Sequence, residues 1–289
     1  MRIALPLLLC LNLLSSAMPA RAIALVDDAG ARLQLHGPVR RVISLSPHLT
    51  ELMFSIGAGA LLVASARGSD FPAEAAALPE IGDVAGLDFE RILALRPDLV
   101  LAWHSGNRTV DVERLRALGL RVLVLEPKRL EDIGRHLRML GFVTGLGENA
   151  HARALNFEQR IDALRQRYAK RAPVRVLFEI WHSPLFTVNG EHLISDVLGL
   201  CAAENIFSSL PRLAGEVSIE QVLLIDPDAI VVGSEAPDAG VVNWMKYPYL
   251  QAVRNGNVLS ISADLITRQT IRIADAAERV CAGLDKARH

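Results

Sequence analysis

The chain has 289 residues, enough for two modest domains or one large one. Hydrophobic residues make up 51% and charged residues 22%, an ordinary globular composition that excludes a disordered or fibrous chain. A formal net charge of −1 leaves no basic field with which to hold nucleic acid.

Arg2 is followed by an apolar run from Ile3 to Leu14 and by small residues ending Ala20-Arg21-Ala22. This three-part pattern is that of a secretory signal peptide, and the run is too short to span a bilayer. Leu9 stands before Cys10 where a lipid-attachment site needs a small residue, so the expectation is cleavage after Ala22 and export. Cleavage removes Cys10 and leaves Cys201 and Cys281. An even count in an oxidising compartment favours a disulfide, with two buried thiols as the alternative. No Cys-x-x-Cys pair exists, so a zinc or redox site has no support.

From there, short apolar strands alternate with amphipathic helices. Arg41 to Leu45 reads as a strand, and Thr50 to Ile56 as a helix stopped at Gly57. Leu99 to Ala102 and Arg121 to Leu125 are strands, and Glu131 to Leu140 is a helix stopped at Gly141. This alternation predicts parallel-sheet α/β units. It pauses at Glu148 to Lys170, which contains neither Pro nor Gly and carries Ala154, Leu155, Phe157, Ile161 and Leu164 at helical spacing. After Pro173 it restarts with Val174 to Phe178. The expected architecture is α/β, with two similar lobes (residues 23–147 and 172–289) joined by one long helix over 148–171 and a ligand cleft between them.

The two halves also resemble each other. Asp88-Phe89-Glu90 precedes Arg96-Pro97-Asp98-Leu99-Val100-Leu101, and Ser218-Ile219-Glu220 precedes Asp226-Pro227-Asp228-Ala229-Ile230-Val231. In each copy a capping residue opens a short helix, a Glu sits in its first turn, and Pro-Asp leads into a strand. Matched Glu and Pro-Asp positions imply an internal duplication.

No catalytic motif is present. Gly145-Leu146-Gly147-Glu148-Asn149-Ala150 loosely fits a dinucleotide fingerprint but lies between two helices rather than between strand and helix. There is no P-loop, His-Glu-x-x-His or Gly-x-Ser-x-Gly. The loops after strands are more informative, because ligands of open α/β sheets sit beyond the carboxyl ends of strands. Those loops carry Ser46 within Ser44 to His48, then Trp103 and His104, and then Trp181, His182 and Phe186. The aromatics offer flat contact area with few rotors to freeze, and the histidines read as polar wall residues rather than metal ligands.

These segments resemble the cobalamin-binding proteins of bacterial ABC importers, periplasmic binding proteins with a helical backbone between their lobes. The likeness runs from about Arg40 to Leu284. It rests on Ile43-Ser44-Leu45-Ser46-Pro47 with Thr50-Glu51, on Glu90-Arg91-Ile92 through Val100, and on Ala102-Trp103 with Gly106-Asn107. Phe186-Thr187, Glu204-Asn205-Ile206-Phe207 and Ser218 to Leu223 add to these.

The resemblance implies a periplasmic monomer that binds cobalamin as transported cargo, has no cofactor or metal of its own, and delivers the cargo to a permease dimer. By position it makes Trp103 and Phe186 corrin-contacting aromatics and Asp264 and Arg268 polar contacts. It makes Cys201 and Cys281 a disulfide, and Glu90 and Glu220 the carboxylates that dock onto the two permease subunits. Gly68, Val84 and Ala214 stand where relatives can place aromatics, so this pocket is less aromatic unless Trp181 or Trp244 compensates. Haem, for which His104 or His182 could serve as axial ligand, and an iron–siderophore are the alternative cargoes. A metal-dependent enzyme on the same scaffold is the remote one, and it would need carboxylates or histidines clustered in the cleft.

Overall fold

Val42, Ile43 and Ser44 form a strand that is buried on both faces, as a central parallel strand must be. In the computed structural model of the protein, which describes residues 23–235 and 240–288, this strand lies inside a four-stranded parallel sheet. The order across that sheet is Leu62–Ser65, Val42–Ser44, Leu99–Trp103, Val122–Leu125. The second half builds Ala203–Asn205, Val174–Glu179, Ala229–Ser234, Val258–Ser262, again all parallel. Taken in chain order, both sheets place the first strand between the second and the third, with the fourth at the far edge. The proposed signal peptide, with Cys10 and the cleavage point, lies outside the described residues.

The duplication holds at the level of single hydrogen bonds. Asp98 accepts the backbone N–H of Arg41 at 2.9 Å, and the Arg41 guanidinium donates to the Leu95 carbonyl at 2.7 and 3.0 Å. In the other lobe Asp228 accepts the backbone N–H of Arg175 at 2.7 Å, and the Arg175 guanidinium donates to the Ile225 carbonyl. Arg96 and Asp226, each directly before the proline, both adopt positive φ, +45° and +48°. Side chains seldom occupy that region, so its recurrence at the matched position is a specific likeness. The Pro-Asp pair thus marks where each helix is stopped and its successor strand is tied to the first strand of the lobe.

The helix predicted to stop at Gly141 runs through it. It spans Leu130–Thr144 and ends on Gly145, whose φ of +78° supplies the left-handed cap. Gly141 serves packing instead: a Cβ there would come 2.3 Å from the Cβ of Ala150 on the next helix. That next helix, Gly147–Tyr168, is the long one read from the sequence, and the loose dinucleotide fingerprint falls at the turn leading into it. Its buried stripe of Ala150, Ala154, Phe157, Ile161, Leu164 and Tyr168 follows the helical period. The stripe packs on Leu130–Thr144 and on the second-half helices Leu193–Leu200 and Ile273–Lys286, so one hydrophobic core runs through both lobes. Arg160 adds ion pairs to Asp275 at 2.5 Å and Glu278 at 2.8 Å. The first helix also begins earlier than read, at Pro47 rather than Thr50, because proline suits a first helical position.

Cys201 and Cys281 are disulfide-bonded and fully buried. The bond ties the end of Leu193–Leu200 to the middle of Ile273–Lys286, both of which pack on the long helix.

Candidate functional site

The first-lobe wall is built around Trp103, the last residue of its strand. A Cβ at Gly106 would lie 1.8 Å from the indole, so only glycine lets the ring fold over that turn. Asn107 fixes the turn: its side chain accepts the backbone N–H of Trp103 at 2.7 Å and donates to the Leu45 carbonyl at 3.0 Å. His48 meets the indole in a T-shaped contact, with ring centroids 5.1 Å apart. The indole N–H is buried and has no partner among the described residues. Trp103 is half-buried and lines a narrow cavity at the seam between the lobes, opposite His192, Leu213 and Gln269.

His48 is buried, and its Nδ1 lies 2.6 Å from the Ser46 hydroxyl. Burial, reinforced by nearby His136, pulls its pKa down to about 3, so it is neutral at physiological pH. The Ser46 hydroxyl is therefore committed to His48, and Ser46 is itself buried. His104 is exposed, with its backbone N–H on the Leu125 carbonyl, and lines neither the seam nor the larger cavity described next.

The second-lobe wall is an open cavity of about 820 Å³ at the carboxyl ends of Val174–Glu179 and Ala229–Ser234. Trp181, His182, Val232, Gly233 and Thr267 are among its lining residues. Trp181 is 64% exposed, and its indole N–H donates to the Ser183 carbonyl at 3.0 Å. Phe186 is half-buried and pairs with Trp181 through the backbone. Trp244 is no substitute cleft aromatic: it is wholly buried and donates its indole N–H to Glu179 at 2.5 Å.

Residues from both lobes meet beside these walls. Arg268 donates to Asp70 of the first lobe at 2.6 Å and pairs with Asp264 at 3.0 Å. The hydrogen bond from Arg268 holds the Asp70 carboxyl below its ordinary pKa. Glu51 of the first lobe accepts from Thr270 at 2.6 Å and, on both oxygens, from Arg272 at 2.6 and 2.7 Å.

The structure thus gathers Trp181 and His182 on one cavity, places Phe186 beside Trp181, and puts Trp103 on the seam. Asp264 and Arg268 pair within the second lobe, and Arg268 reaches across to Asp70 of the first. Ser46 and His104 are not part of either lined surface. No motif or spacing in the sequence marks Asp70, Glu179 or Arg272. Glu179 had a signal of another kind, a carboxylate directly after the apolar run Val176-Leu177-Phe178. Among the described residues, no group of three or more His, Cys, Asp or Glu is placed to hold a metal ion, and no helix is long and apolar enough to cross a membrane.

The two duplicated helices lie at the surface. Phe89–Ala94 is capped by Asp88, which accepts the Arg91 N–H at 2.9 Å, and Ile219–Ile225 by Ser218, which accepts the Gln221 N–H at 3.2 Å. Glu90 and Glu220 are exposed in the first turns. Leu93 and Leu223, each three residues on and thus on the same helix face, are exposed at 39% and 41%.

Comparison with known proteins places this architecture. The family model described as "Periplasmic binding protein" matches residues 42–265. A vitamin B12-binding protein of Vibrio cholerae is 35% identical over 244 residues, covering 84% of this chain and 88% of the relative. That of Pectobacterium carotovorum is 37% identical over 247 residues, covering 85% and 88%. Among solved structures, the periplasmic vitamin B12-binding protein BtuF of Vibrio cholerae matches with a TM-score of 0.82 at 34% identity, over 86% of this chain and 98% of that one. The periplasmic heme-binding protein RhuT of Roseiflexus matches with a TM-score of 0.76 at 21% identity, over 86% and 99%, a likeness of fold alone. The repeated sheets, the single connecting helix and these matches agree: the chain belongs to the periplasmic binding protein family.

Proposed function

We propose that this chain captures cobalamin or a related corrinoid between its lobes and delivers it to the permease dimer of an ABC importer. The observation that carries the reading is the likeness to vitamin B12-binding proteins at 35–37% identity across most of the chain, coinciding with a two-lobed fold that presents aromatics at its strand ends. Trp181, Phe186 and Trp103 would supply flat contacts to the corrin, and Asp264 and Arg268 polar ones. In this reading cobalamin is cargo, not a cofactor, and the protein binds without catalysing. Residues 23–147 and 172–289 are the two lobes, 148–171 bridges them, and the working form is a periplasmic monomer released by cleavage after Ala22.

Two features support docking at Glu90 and Glu220. They occupy matched places on the duplicated lobes, and each is accompanied by an exposed leucine, Leu93 or Leu223. A pseudo-symmetric pair of surfaces suits the two copies of a symmetric membrane dimer. Protein purified from cells supplied with cobalamin and haem tests the cargo directly. Corrin absorption bands in the purified protein support the reading, and haem bands alone replace it.

A further inference from the structure

Behind the larger cavity lies a carboxylate that the capture of a corrin ring does not require. Glu179 ends its strand and is 2% exposed. It accepts the Trp244 indole N–H at 2.5 Å, and its oxygens lie 3.3 and 3.4 Å from Nδ1 of His182. Among the described residues no Arg or Lys pairs with it. Burial raises its pKa, while the indole and His182 draw it back down. A carboxylate beside Nδ1 favours the tautomer with its proton there and leaves the Nε2 lone pair available. His182 lines the cavity, and its Nε2 has no partner among the described residues. Its ring also meets Trp244 edge-on, with centroids 6.0 Å apart, which restrains the imidazole from a second side.

This is the arrangement by which proteins prepare a histidine for a metal: a carboxylate holds one ring nitrogen and raises the basicity of the other. We propose that His182, positioned by Glu179, is an axial donor to the metal centre of the bound corrinoid. The inference rests on the corrinoid reading and goes beyond it, because that reading needs only contacts to the ring and its substituents. The step is a ligand exchange. The Co–O bond to a bound water breaks, its electron pair leaving with the water, and the Nε2 lone pair forms a Co–N bond. No electron or proton changes hands. The buried Glu179 carboxylate then faces an imidazole attached to a cation, a better counterpart than a neutral ring. Cobalt already capped by cyanide presents no labile position on that face, so the site would distinguish aquocobalamin from cyanocobalamin.

The test is visible absorption and calorimetry of wild type, His182→Gln and Glu179→Gln with both forms. Wild type should shift the aquocobalamin spectrum to that of nitrogen-ligated cobalt, leave the cyanocobalamin spectrum unchanged, and bind the first form at least about tenfold more tightly. His182→Gln should lose both the shift and the preference. Glu179→Gln should keep the shift but reduce the preference about tenfold. An unchanged aquocobalamin spectrum on wild type that still binds cyanocobalamin overturns the role of His182 and leaves the corrinoid reading standing. So does equal weakening of both forms by His182→Gln, the signature of a hydrogen bond to a ring substituent. Failure of wild type to bind either form overturns the corrinoid reading itself, and this inference with it.

Discussion

Glu51 and Arg272, 221 positions apart, meet across the two lobes in a two-pronged ion pair at 2.6 and 2.7 Å. The Glu51 side chain is 3% exposed, and Arg272 also stacks on Phe71 of the first lobe at 3.7 Å. Removing one member of such a buried pair leaves the other charge without compensation, at a cost of about 3–5 kcal/mol. Glu51→Ala should therefore lower unfolding stability by about that amount, measured by denaturant titration. The exposed ion pair Arg165–Glu131 is the control, and its loss should cost no more than about 1 kcal/mol. Equal effects would mean that the pair between the lobes does not hold them together.

Stability should also fall with acid. His48 is held neutral down to about pH 3 in the folded chain, whereas an unfolded histidine takes up its proton near 6.5. Between these values the unfolded state binds more protons, so stability is lost as pH falls from about 6.5 toward 3. His192, lowered to about 4 by burial, acts in the same direction, and Asp28, lowered chiefly through hydrogen bonds from His136 and Arg135 against the opposing effect of burial, adds to the loss only below about pH 3.8. One proton corresponds to a slope of about 1.4 kcal/mol per pH unit. Denaturant midpoints across this window should show the decline, and His48→Gln should remove about one proton from the slope. An unaltered slope in that variant would show that His48 titrates normally.

Trp103→Ala should weaken cyanocobalamin binding by about 1–4 kcal/mol, the range for an aromatic anchor that the ligand covers. Because the indole also packs on His48, the variant should lose stability as well. Trp103→Phe separates the two effects, since the indole N–H has no partner among the described residues to lose. Calorimetry beside thermal melting reads both quantities. Unchanged affinity with reduced stability would make Trp103 a packing residue only.

For docking, Glu90→Arg together with Glu220→Arg should leave soluble ligand affinity nearly intact and sharply reduce uptake into vesicles containing the importer. Like charges would then face the permease. Leu93→Ala with Leu223→Ala should weaken uptake without changing charge. Undiminished uptake after the double charge reversal would reduce these glutamates to residues that suit the positive end of a helix.

Much of this architecture is legible in the sequence because it is local. Strand and helix periods show the alternation, and the repeated Glu and Pro-Asp positions show the duplication. Loop content then points to Trp181 and His182. What escapes is set by tertiary closure. Asp70–Arg268 and Glu51–Arg272 join residues about two hundred positions apart, and nothing near either partner announces the other. Ser46 reads as a cleft residue because it follows a strand, yet the buried ring of His48 takes its hydroxyl. Gly141 reads as a helix stop because isolated glycine usually weakens a helix. Its actual reason, the approach of Ala150, becomes visible only once the two helices are packed.

The proposed function comes down to whether this chain binds a corrinoid between its lobes. Isothermal titration of the purified mature protein with cyanocobalamin, with haemin titrated in parallel, tests it most directly. Cyanocobalamin should bind saturably and one-to-one, more weakly to Trp103→Ala, with no comparable binding of haemin. Saturable haemin binding with no heat from cyanocobalamin would contradict it.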